Sequence, residues 1–548
     1  MRRISVNLVV PLLAYAVLLL GITNVAAEDV QSLRASEDGS SKFRPNVVMI
    51  VVDDLGWADL GFRNDNQIKT PNINTLYERG VELTRYYVHT VCSPSRASLM
   101  TGRYSHHNGV HNWLKPAGNI AVRPEEIFLS DRFKDAGYDT YMVGKWHLGH
   151  HKWKYLPHYR GFDSYYGFVT GGGDYFLGRA NVDRIWYHYL EATAPHCNAE
   201  TCVRIPWEAE NRYSTDVFSE KAVEAINRHG ESKSGNPFFL LVTYQGVHGG
   251  GFQPNQVPLH YVEPYMHFPP GRRRQFAGMV AAVDYGVGNI TKALHDNGFT
   301  DDNTLIILTT DNGGPINTGD ACGSSNYPYR GGKHSLYEGG VRGTAFVTGY
   351  GIPGKGVYDG LMHITDWTAT LADVAGYSLR TNLPLDSESH WAHLTSTPES
   401  LIRETPVRSE VVLGNVSDHG RGFGMIIDGH DGKQWKIISD SPGYPNQWST
   451  LDLYGESENE NLQGPDTPCE EGFCLYELTS DPRERTDLSQ DEAYATVLKT
   501  LKQRLLDEWD TSYDIPRDCN IQPIAKDHER VGATWWPYCP NNAVAVEQ

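Results

Sequence analysis

The sequence predicts an α/β fold in which a large, mixed and mostly parallel sheet is flanked by helices and followed by a smaller antiparallel sheet. Continuous apolar runs recur along the first 400 residues, and helical patterns separate them. Runs of this kind are typical of strands that are buried on both faces. Beyond about residue 400 the runs become short and are separated by Gly, Pro and Asn, which favours antiparallel pairing.

Residues 1–27 are predicted to be a signal peptide. Two arginines precede an apolar stretch from Leu8 to Leu20, and small residues suit cleavage after Ala27. The stretch is shorter than the roughly 20 apolar residues of a membrane helix, and no later segment approaches that length. Residues 28–45 are polar and without periodicity, and we predict that they form a leader to the folded part.

The main domain is predicted to span residues 46–400. Its first strand is the apolar run "NVVMIVV", and four later runs have the same character: "YDTYMVG", "PFFLLVTY", "TLIILTTDN" and "GTAFVTG". Between them, residues 213–229 carry one apolar stripe at helical spacing, which predicts a helix. Another helix is predicted to begin near Arg272, and we expect the arginines from Arg272 to Arg274 to face solvent. Strands that alternate with helices indicate a largely parallel sheet with helices on both faces.

The C-terminal subdomain is predicted to span residues 401–548. Short strands are predicted at "GMIIDG", "QWKIIS" and "LYEL", followed by a helix in "TVLKTLKQRLLDEW" and a tail that contains cysteines. The boundary near residue 400 is inferred only from the change from long apolar runs to short ones.

The composition of the chain restricts its partners. Its 548 residues carry a formal net charge of -19. An acidic surface repels nucleic acid and anionic membranes, so the sequence argues against both as partners. An anionic substrate would need a locally basic pocket.

Eight cysteines in a secreted chain are expected to form disulfides. Sequence alone does not fix their connectivity, but proximity suggests three pairs: Cys197 with Cys202, Cys469 with Cys474, and Cys519 with Cys539. Cys92 and Cys322 are left over, and Cys322 is open to interpretation as a buried thiol, an inter-chain bridge or the partner of another cysteine. Asn289 in "NIT" and Asn415 in "NVS" are predicted glycosylation acceptors.

Two of the predicted strands end in polar pairs. Asp53 and Asp54 follow the first strand, and Asp311 and Asn312 follow "LIILTT". Ligands of open α/β sheets bind beyond the carboxyl ends of the strands, so we expect these side chains to meet there. Three carboxylates would repel one another without a cation between them, and an all-oxygen ligand set favours Ca²⁺ or Mg²⁺.

Basic and polar side chains follow other strands and are expected at the same edge of the sheet. Lys145 and His147 stand in "GKWHLG", and Gln245 and His248 follow "PFFLLVTY". Lys333 lies in the glycine-rich stretch "YRGGKHSLYEGG". With a metal ion and Arg96, such an edge would suit a tetrahedral oxyanion.

Cys92 is predicted to stand at the N-terminus of a helix, because Pro94 suits the first helical turn. Unpaired N–H groups at that position favour an anion. One interpretation makes the cysteine a thiolate nucleophile, as in cysteine-dependent phosphatases, but those enzymes need an arginine six residues on, where this chain has Ser98.

The segment "CSPSR" matches the Cys-x-Pro-x-Arg signature of type I sulfatases, a family in which the cysteine is converted to formylglycine in the endoplasmic reticulum. "GYDTYMVGKWHLG" resembles the second signature of that family, and "NVVMIVVDDLGWADLGF", "TDNGG" and "GGKHSLYEGGVRG" occur in the family's order. The resemblance covers about residues 45–490 and implies an alkaline-phosphatase-like fold. The residues around these motifs are most similar to those of the arylsulfatase B group, the N-acetylgalactosamine-4-sulfatases.

The resemblance also implies roles for residues. Ca²⁺, one per chain, would be held by Asp53, Asp54, Asp311, Asn312 and the modified Cys92. Hydrated formylglycine would supply one hydroxyl as nucleophile, positioned by Arg96 and His147, and His147 would deprotonate the second hydroxyl so that sulfate is expelled. Lys145 and Lys333 would bind sulfate oxygens, and His248, helped by Lys333, would protonate the departing alcohol.

Three other functions remain open at this stage. The first is a phosphate or phosphonate ester hydrolase of the same superfamily, and the second is a catalytically silent protein that binds sulfated glycans. The third is zinc chemistry at the histidines of "HLGHH" and "SHHNGVH", against which we count the absence of a Cys or acidic ligand spaced to complete a site.

The substrate is expected to be a sulfated sugar or an aryl sulfate. The stretch "HGGGFQPNQVP" departs from the short His-Glu-Pro-type turn of arylsulfatase B enzymes, so the glycine-rich loop at Gly249–Gly251 either reshapes the pocket or is a neutral insertion. The expected partners are the substrate and, during maturation, the formylglycine-generating enzyme. The predicted signal peptide indicates the secretory pathway, with a lysosomal or an extracellular destination.

Overall fold

The computed structural model describes residues 43–516, with gaps at 66, 117, 183–184, 193–201, 251–252, 254, 317–322, 380, 397–405, 418–419, 430, 445, 450–468 and 470–471. The predicted signal peptide, all but the last three residues of the predicted leader, and the predicted boundary at residue 400 therefore lie outside the described residues. The same holds for four cysteines: Cys197, Cys322, Cys519 and Cys539.

The described strands are β1 (Asn46–Val52), β2 (Gly80–Leu83), β3 (Tyr86–Tyr87), β4 (Asp139–Lys145), β5 (Ser164–Phe168), β6 (Arg179–Val182), β7 (Ile185–His188), β8 (Leu190–Ala192), β9 (Val203–Arg204), β10 (Phe238–Tyr244), β11 (Thr304–Thr310), β12 (Ala345–Gly349), β13 (Gly356–Tyr358), β14 (Met362–His363), β15 (Glu410–Ser417), β16 (Gly420–Asp428), β17 (Gln434–Asp440) and β18 (Phe473–Glu477).

The described α-helices are α1 (Pro71–Tyr77), α2 (Cys92–Thr101), α3 (Ser105–Asn108), α4 (Leu129–Asp135), α5 (Ser214–Ser232), α6 (Leu259–Val262), α7 (Arg272–Asp296), α8 (Glu338–Val341), α9 (Trp367–Ala375), α10 (Trp391–Leu394) and α11 (Ala495–Trp509). Short 3₁₀ helices occur at Gly61–Arg63, Trp153–Tyr155, Pro157–Tyr159, Trp207–Ala209, Glu263–Tyr265, Ile364–Asp366 and Glu492–Tyr494.

The main sheet has ten strands in the order β13-β2-β12-β11-β1-β10-β4-β5-β8-β9. Its centre is parallel, because β1 pairs in parallel with both β10 and β11, and β4 does so with β10 and β5. β12 runs antiparallel to β11, and β8 and β9 are antiparallel at the other edge. This arrangement confirms the mixed, mostly parallel sheet that the sequence predicts.

Strand β1 is buried over its whole length and divides the core into two layers. Val47, Met49 and Val51 belong to one hydrophobic cluster, which includes side chains of α4 and α9. Val48 and Ile50 belong to the opposite cluster, which includes side chains of α5 and α7. Alternate residues of a strand point to opposite faces, and each such burial contributes about 1.5–3 kcal/mol, so the strand is fixed from both sides.

The helix predicted near Arg272 is present as α7, but the expectation that its three arginines face solvent is wrong for Arg273. Only 2% of Arg273 is exposed, and its Nη1 lies 2.5 Å from Oδ1 of the fully buried Asp59. The same guanidinium donates a hydrogen bond to the carbonyl oxygen of Gly323 at 2.9 Å. Arg273 is buried because the carboxylate of Asp59, in the loop after β1, is itself buried and must be paired with a cation.

The smaller sheet is antiparallel, as predicted, and consists of β15, β16, β17 and β18 in consecutive order. The sequence predicts the last three strands but not β15. Leu501 and Leu505 of α11 belong to a hydrophobic cluster with Met425 and Ile437 of this sheet. The antiparallel sheet and the final helix of the predicted C-terminal part therefore share one core.

Cys469 and Cys474 form a disulfide with an S–S distance of 2.09 Å, which confirms that predicted pair. Cys202 is also disulfide-bonded, and its partner lies outside the described residues. Asn289 lies within α7 and Asn415 within β15, and their glycosylation stays a prediction. No helix in the described part of the chain is long and apolar enough to cross a membrane.

Candidate active site

Four neighbouring parallel strands end at one edge of the main sheet, in the order β11, β1, β10 and β4. In register, Val52 at the end of β1 pairs with Tyr244 of β10 and with Thr310 of β11. Polar residues named above stand at or just after the end of each of these strands: Asp311 and Asn312, Asp53 and Asp54, Gln245 and His248, and Lys145 and His147. The parallel pairing therefore brings the selected residues to a common edge.

The acidic residues form a buried cluster. Asp53, Asp54 and Asp311 are each 0% exposed. The backbone N–H of Asp54 donates to Oδ1 of Asp311 at 3.3 Å, and Nδ2 of Asn312 donates to Oδ1 of Asp54 at 2.7 Å. One ligand atom from each of Asp53, Asp311 and Cys92 lies within 4.8 Å of the others. This cluster is one of two groups among the described residues whose spacing would suit a metal ion.

Three buried cations face the three carboxylates. Lys145 Nζ lies 2.6 Å from Asp53 Oδ2, and Lys333 Nζ lies 2.8 Å from Asp54 Oδ2. Arg96 donates from Nε to Asp311 Oδ2 at 2.9 Å. Buried charges are tolerated only when they are paired, so each carboxylate depends on one of these cations.

The pairing leaves acceptor capacity unused. Oδ1 of Asp53 and Oδ1 of Asn312 are buried and have no hydrogen-bond partner among the described residues. Burial, reinforced by the negative charge of Asp311, raises the pKa of Asp53 well above its usual value. Burial opposes the ionisation of Asp311 as well, but Arg96 and Lys145 outweigh it and lower that pKa. Carboxylate and amide oxygens without donors fit a hard divalent cation.

Cys92 is the first residue of α2, so the predicted helix start is confirmed. The side chain is buried, and its Sγ lies 3.3 Å from Nδ1 of His147. Burial raises the pKa of the Cys92 thiol. A raised pKa disfavours the thiolate form, which argues against a thiolate nucleophile at this position.

The ring of His147 is held in one orientation. Its Nε2 lies 2.9 Å from the carbonyl oxygen of Leu114, which can only accept, so Nε2 carries the proton and Nδ1 faces residue 92 with a lone pair. Burial, followed by the charge of Lys145, lowers the pKa of His147 well below its usual value. His147 also has a positive φ of 56°, a conformation that costs a non-glycine residue about 1–3 kcal/mol. The protein therefore holds a neutral imidazole against residue 92.

His248 lies nearer to solvent than His147, with 18% of its side chain exposed. Its Nδ1 lies 2.7 Å from the carbonyl oxygen of Gly249 and so donates the proton there. Its Nε2 lies 3.8 Å from Asp54 Oδ2, on the side of the acidic cluster. Gln245 is fully buried and donates from Nε2 to the carbonyl oxygen of Gly173 at 2.6 Å.

A glycine-rich loop that the sequence analysis did not select lies against both histidines. It follows β5 and has the sequence "TGGG" from Thr170 to Gly173. A Cβ atom at Gly171 would lie 2.7 Å from Cε1 of His147, and a Cβ at Gly172 would lie 3.0 Å from Cε1 of His248. Three consecutive glycines after an apolar run were the available signal, since such a run marks a close approach to another group.

The histidines of "HLGHH" do not come together. His147 faces Cys92, whereas Nε2 of His150 contacts the carbonyl oxygen of Pro116 at 2.7 Å. Neither of the two possible metal-binding groups among the described residues contains His147, His150 or His151. The geometry therefore gives no support to a zinc site in this segment.

Comparisons with known proteins agree with these observations. A family model for sulfatases matches residues 45–377. Arylsulfatase J of Mus musculus is 30% identical over 546 residues, which cover 93% of this chain and 84% of that protein. Arylsulfatase G of Mus musculus is 32% identical over 375 residues, covering 63% and 67%. N-acetylgalactosamine-6-sulfatase of Homo sapiens is 29% identical over 313 residues, covering 55% and 56%.

Solved structures show the same architecture. Ps i-CgsB in complex with k-i-k-neocarrahexaose superposes with a TM-score of 0.64 at 26% identity, covering 90% of this chain and 95% of that one. The sulfatase PsFucS1 from Pseudoalteromonas sp. also has a TM-score of 0.64, with the same coverage at 22% identity, which is evidence for the fold alone. The alkaline-phosphatase-like fold is therefore confirmed. Since the family model covers more than half of the chain, the chain belongs to the type I sulfatase family, whose members hydrolyse sulfate esters.

Proposed function

We propose that this sulfatase cleaves sulfate monoesters of sugars or aryl alcohols with a formylglycine made from Cys92 and one Ca²⁺ ion. The observation that carries the proposal is the buried contact between Cys92 and the unprotonated Nδ1 of His147. The contact lies beside the carboxylates of Asp53 and Asp311, and the carboxylates of this cluster are paired with Lys145, Lys333 and Arg96.

Ca²⁺ would be held by Asp53, Asp54, Asp311, Asn312 and the modified residue 92. The oxygen atoms of Asp53 and Asn312 that lack hydrogen-bond partners support this ligand set. When bound, the ion would polarise a sulfate oxygen and stabilise the charge that develops on it.

Residue 92, once converted to the aldehyde and hydrated, would supply a hydroxyl as nucleophile. His147 is proposed to take the proton from a hydroxyl at this residue, because its Nδ1 carries no proton and faces position 92. Arg96 is proposed to orient the residue, since its guanidinium is fixed between Asp311 and the carbonyl oxygen of Lys145.

Lys145 and Lys333 are proposed to bind sulfate oxygens. Both side chains are buried, and their ammonium groups lie against Asp53 and Asp54 at the edge of the sheet. A sulfate monoester is an anion and would be repelled by three carboxylates alone, so these cations supply the positive charge that its binding needs.

His248 is proposed to protonate the leaving alcohol. Its partial exposure suits a group that meets the part of the substrate pointing to solvent, and its Nε2 lies 3.8 Å from Asp54 Oδ2, beside the acidic cluster. Lys333 pairs with the same carboxylate oxygen and so lies beside His248.

Sulfated glycans are the substrate class that we propose. One neighbouring structure, of BT4656, contains D-glucosamine-2-N,6-O-disulfate as its substrate, and another contains a neocarrahexaose. A preference for the 4-sulfate of N-acetylgalactosamine stays a prediction, because the relatives found include 6-sulfatases and arylsulfatases of other types. In the glycine-rich stretch after His248, a Cβ at Gly250 would lie 2.9 Å from Oε1 of Gln256, and that oxygen accepts from the N–H of Tyr175.

Two alternative functions have less support: a phosphate or phosphonate ester hydrolase, and a catalytically silent protein that binds sulfated glycans. The family match favours sulfate over phosphate esters, and every residue proposed for binding or catalysis is present, which argues against a silent binding protein. The secretory route, ending in the lysosome or outside the cell, and the formylglycine-generating enzyme as maturation partner belong to the same proposal.

The test is mass spectrometry of the tryptic peptide from Tyr86 to Arg96, "YYVHTVCSPSR", after co-expression with the formylglycine-generating enzyme. We expect the mass of the aldehyde at position 92, together with turnover of an aryl sulfate. The matched control is Cys92→Ala, which should keep the fold and lose turnover. An unmodified thiol in protein that still turns over sulfate esters would refute the formylglycine mechanism.

A further inference from the structure

A second cluster of metal-ligand side chains lies outside the active site, where α3 meets α11. His106 Nε2 lies 3.2 Å from Glu508 Oε1, and His107 Nε2 lies 3.7 Å from the same oxygen. The carboxylate comes from a position 402 residues along the chain from His106. The acidic ligand that the sequence of "SHHNGVH" lacks is thus supplied by the last helix of the described residues.

The spacing of these atoms is that of a metal coordination shell. Zinc ligands lie about 2.0–2.2 Å from the ion at tetrahedral angles, so two ligands of one ion are about 3.3–3.6 Å apart. The two measured separations of 3.2 and 3.7 Å bracket that value. An ion could therefore be accommodated with only small shifts of the side chains.

The hydrogen bonds around the cluster orient its ligand atoms. Nδ1 of His107 lies 2.8 Å from Oδ2 of Asp386, which fixes the proton on Nδ1 and turns the Nε2 lone pair toward Glu508. A carboxylate behind a histidine in this way is the usual support of a zinc-bound imidazole. Arg504 occupies the other oxygen of Glu508, Oε2, at 2.8 Å and leaves Oε1 directed at the histidines.

The exposure of the three side chains also suits a metal. The side chain of His106 is 0% exposed, while those of His107 and Glu508 are 19% and 15% exposed, so the cluster has one side open to solvent. Thr511 Oγ1 lies 2.7 Å from Nε2 of His107, and an ion would replace this hydrogen bond.

We propose that His106, His107 and Glu508 bind one Zn²⁺ ion that fastens α11 to α3. Two imidazoles and one carboxylate suit zinc, whereas the all-oxygen cluster at the active site suits calcium, so the two sites select different metals. The open side leaves room for water as a fourth ligand. Since α3 follows α2, whose first residue is Cys92, the ion ties the C-terminal helix to the segment next to the nucleophile helix.

Zinc titration of the full-length protein in Ca²⁺-saturated buffer tests the proposal. We expect one tightly bound Zn²⁺ per chain, and we expect His107→Gln and Glu508→Gln each to abolish it. Asp386→Asn should weaken it by about 10–100-fold, the usual effect of losing the carboxylate behind a ligating histidine. The matched control is His111→Gln, which changes a nearby histidine whose Nε2 contacts the carbonyl oxygen of Tyr513, and it should bind zinc as the unchanged protein does.

The unchanged protein gives a readout that does not depend on how the variants fold. Co²⁺ in place of Zn²⁺ should give the intense visible absorption of a four- or five-coordinate site, and added Zn²⁺ should remove it. Bound Zn²⁺ should also slow hydrogen exchange in residues 495–509. Failure to bind zinc with Ca²⁺ present, equal binding by His107→Gln, or a weak six-coordinate Co²⁺ spectrum would each overturn the proposal and leave the cluster as an ion-paired helix contact.

Discussion

Two histidines that lie against the same loop of three glycines, Gly171–Gly173, have different surroundings. His147 is buried and turned to residue 92 by the carbonyl oxygen of Leu114, whereas His248 is partly exposed and turned toward Asp54. A base must reach the nucleophile and an acid must reach the leaving group, so the different positions suit the two proposed tasks. The separation of tasks can be tested at the glycines without touching either histidine.

Gly171→Ala and Gly172→Ala are expected to impair different steps. The new methyl group at position 171 would lie 2.7 Å from the ring of His147, and the one at position 172 would lie 3.0 Å from the ring of His248. In each case the atoms that must move belong to an imidazole, so the ring is displaced while the backbone remains. We expect Gly171→Ala to lower kcat for every sulfate ester and Gly172→Ala to lower it mainly for esters with poor leaving groups.

The control for the glycine variants is Gly271→Ala, because a Cβ at Gly271 would meet nothing within 4 Å and the backbone there is extended. Kinetics with p-nitrophenyl sulfate and with an alkyl sulfate would separate the two effects. Equal losses on both esters for Gly172→Ala would contradict the proposed link between this glycine and the acid.

Removal of the acid itself gives the larger effect. His248→Ala is expected to lower kcat for a sugar or alkyl sulfate by about 10²–10⁴-fold, the range of general acid catalysis, because the leaving alkoxide then has no proton donor. Turnover of p-nitrophenyl sulfate, whose leaving group needs no proton, should change far less. A His248→Ala enzyme that hydrolyses poor leaving groups at the normal rate would remove His248 from the mechanism.

At the scale of single elements, the start of α7 is anchored by a buried ion pair. Arg273 bonds to Asp59 and Gly323, while its neighbour Arg272 is exposed. Removing one partner of a buried pair leaves an uncompensated charge, which costs about 3–5 kcal/mol. We therefore expect Arg273→Met to lower the free energy of unfolding by about that amount, measured by urea denaturation, and Arg272→Met to change it by less than about 0.5 kcal/mol. Similar small changes for both variants would show that Asp59 finds another partner.

A second buried charge cluster joins α8 to the antiparallel sheet. Lys436 of β17 lies 2.9 Å from Glu338 Oε1 and 2.8 Å from Glu484 Oε1, and all three side chains are fully buried. Two buried carboxyl groups share one cation here, so the negative charge of one of them is not compensated and its ionised form is destabilised. Burial, together with the charge of Glu338, raises the pKa of Glu484 to about 7.

The raised pKa predicts that Glu484 contributes more to stability in acid than at neutral pH. A carboxyl group whose pKa is higher in the folded state contributes stability that is complete below its unfolded pKa, about 4.5, and that is lost as the pH rises through about 7. We expect Glu484→Gln, which mimics the protonated acid, to reduce the fall in Tm between pH 5 and pH 8. Glu78→Gln is the matched control, because Glu78 is an exposed residue paired with Lys355. A steeper fall for Glu484→Gln would show that the ionised form of Glu484 stabilises the fold.

At the scale of the whole molecule, the sequence predicts the main sheet and most of the proposed site for one reason. Parallel strands place their carboxyl ends at one edge, so Asp53, Lys145, His248 and Asp311 could be expected together although they are separated by up to 258 positions. The sequence also predicts that α2 starts at Cys92, because Pro94 suits the first turn of a helix.

The parts that could not be predicted depend on tertiary contacts without a sequence period. Glu508 reaches His106 only because α11 packs on the antiparallel sheet and then passes α3. Arg273 is buried because a single carboxylate, Asp59, lies beneath it. The loop at Gly171 can approach the ring of His147 closely because glycine has no side chain. Patterns of charge and hydrophobicity in the sequence do not predict such an approach.

The acidic cluster at the sheet edge connects β1, β11 and α2, so a cation bound there should stabilise the whole domain. Three buried carboxylates and the unpaired Oδ1 of Asp53 disfavour the metal-free form. A ligand that binds only the folded state adds about 2.7 kcal/mol at a hundred times its Kd. We expect Tm to rise with Ca²⁺ concentration, to fall when EGTA removes the ion, and to recover with Ca²⁺ but less with Mg²⁺, which fits fewer and more rigid sites.

The variant Asp311→Asn separates stabilisation by Ca²⁺ at the acidic cluster from stabilisation by other metal ions. The variant should lose most of the dependence of Tm on Ca²⁺, because it removes one ligand charge, and it should keep any stabilisation by Zn²⁺, because His106 and Glu508 lie in a different part of the chain. Differential scanning calorimetry with each ion in turn measures both effects on one sample. A Tm that does not respond to Ca²⁺ in the unchanged protein, with formylglycine present at residue 92, would mean that Lys145, Lys333 and Arg96 alone compensate the carboxylates.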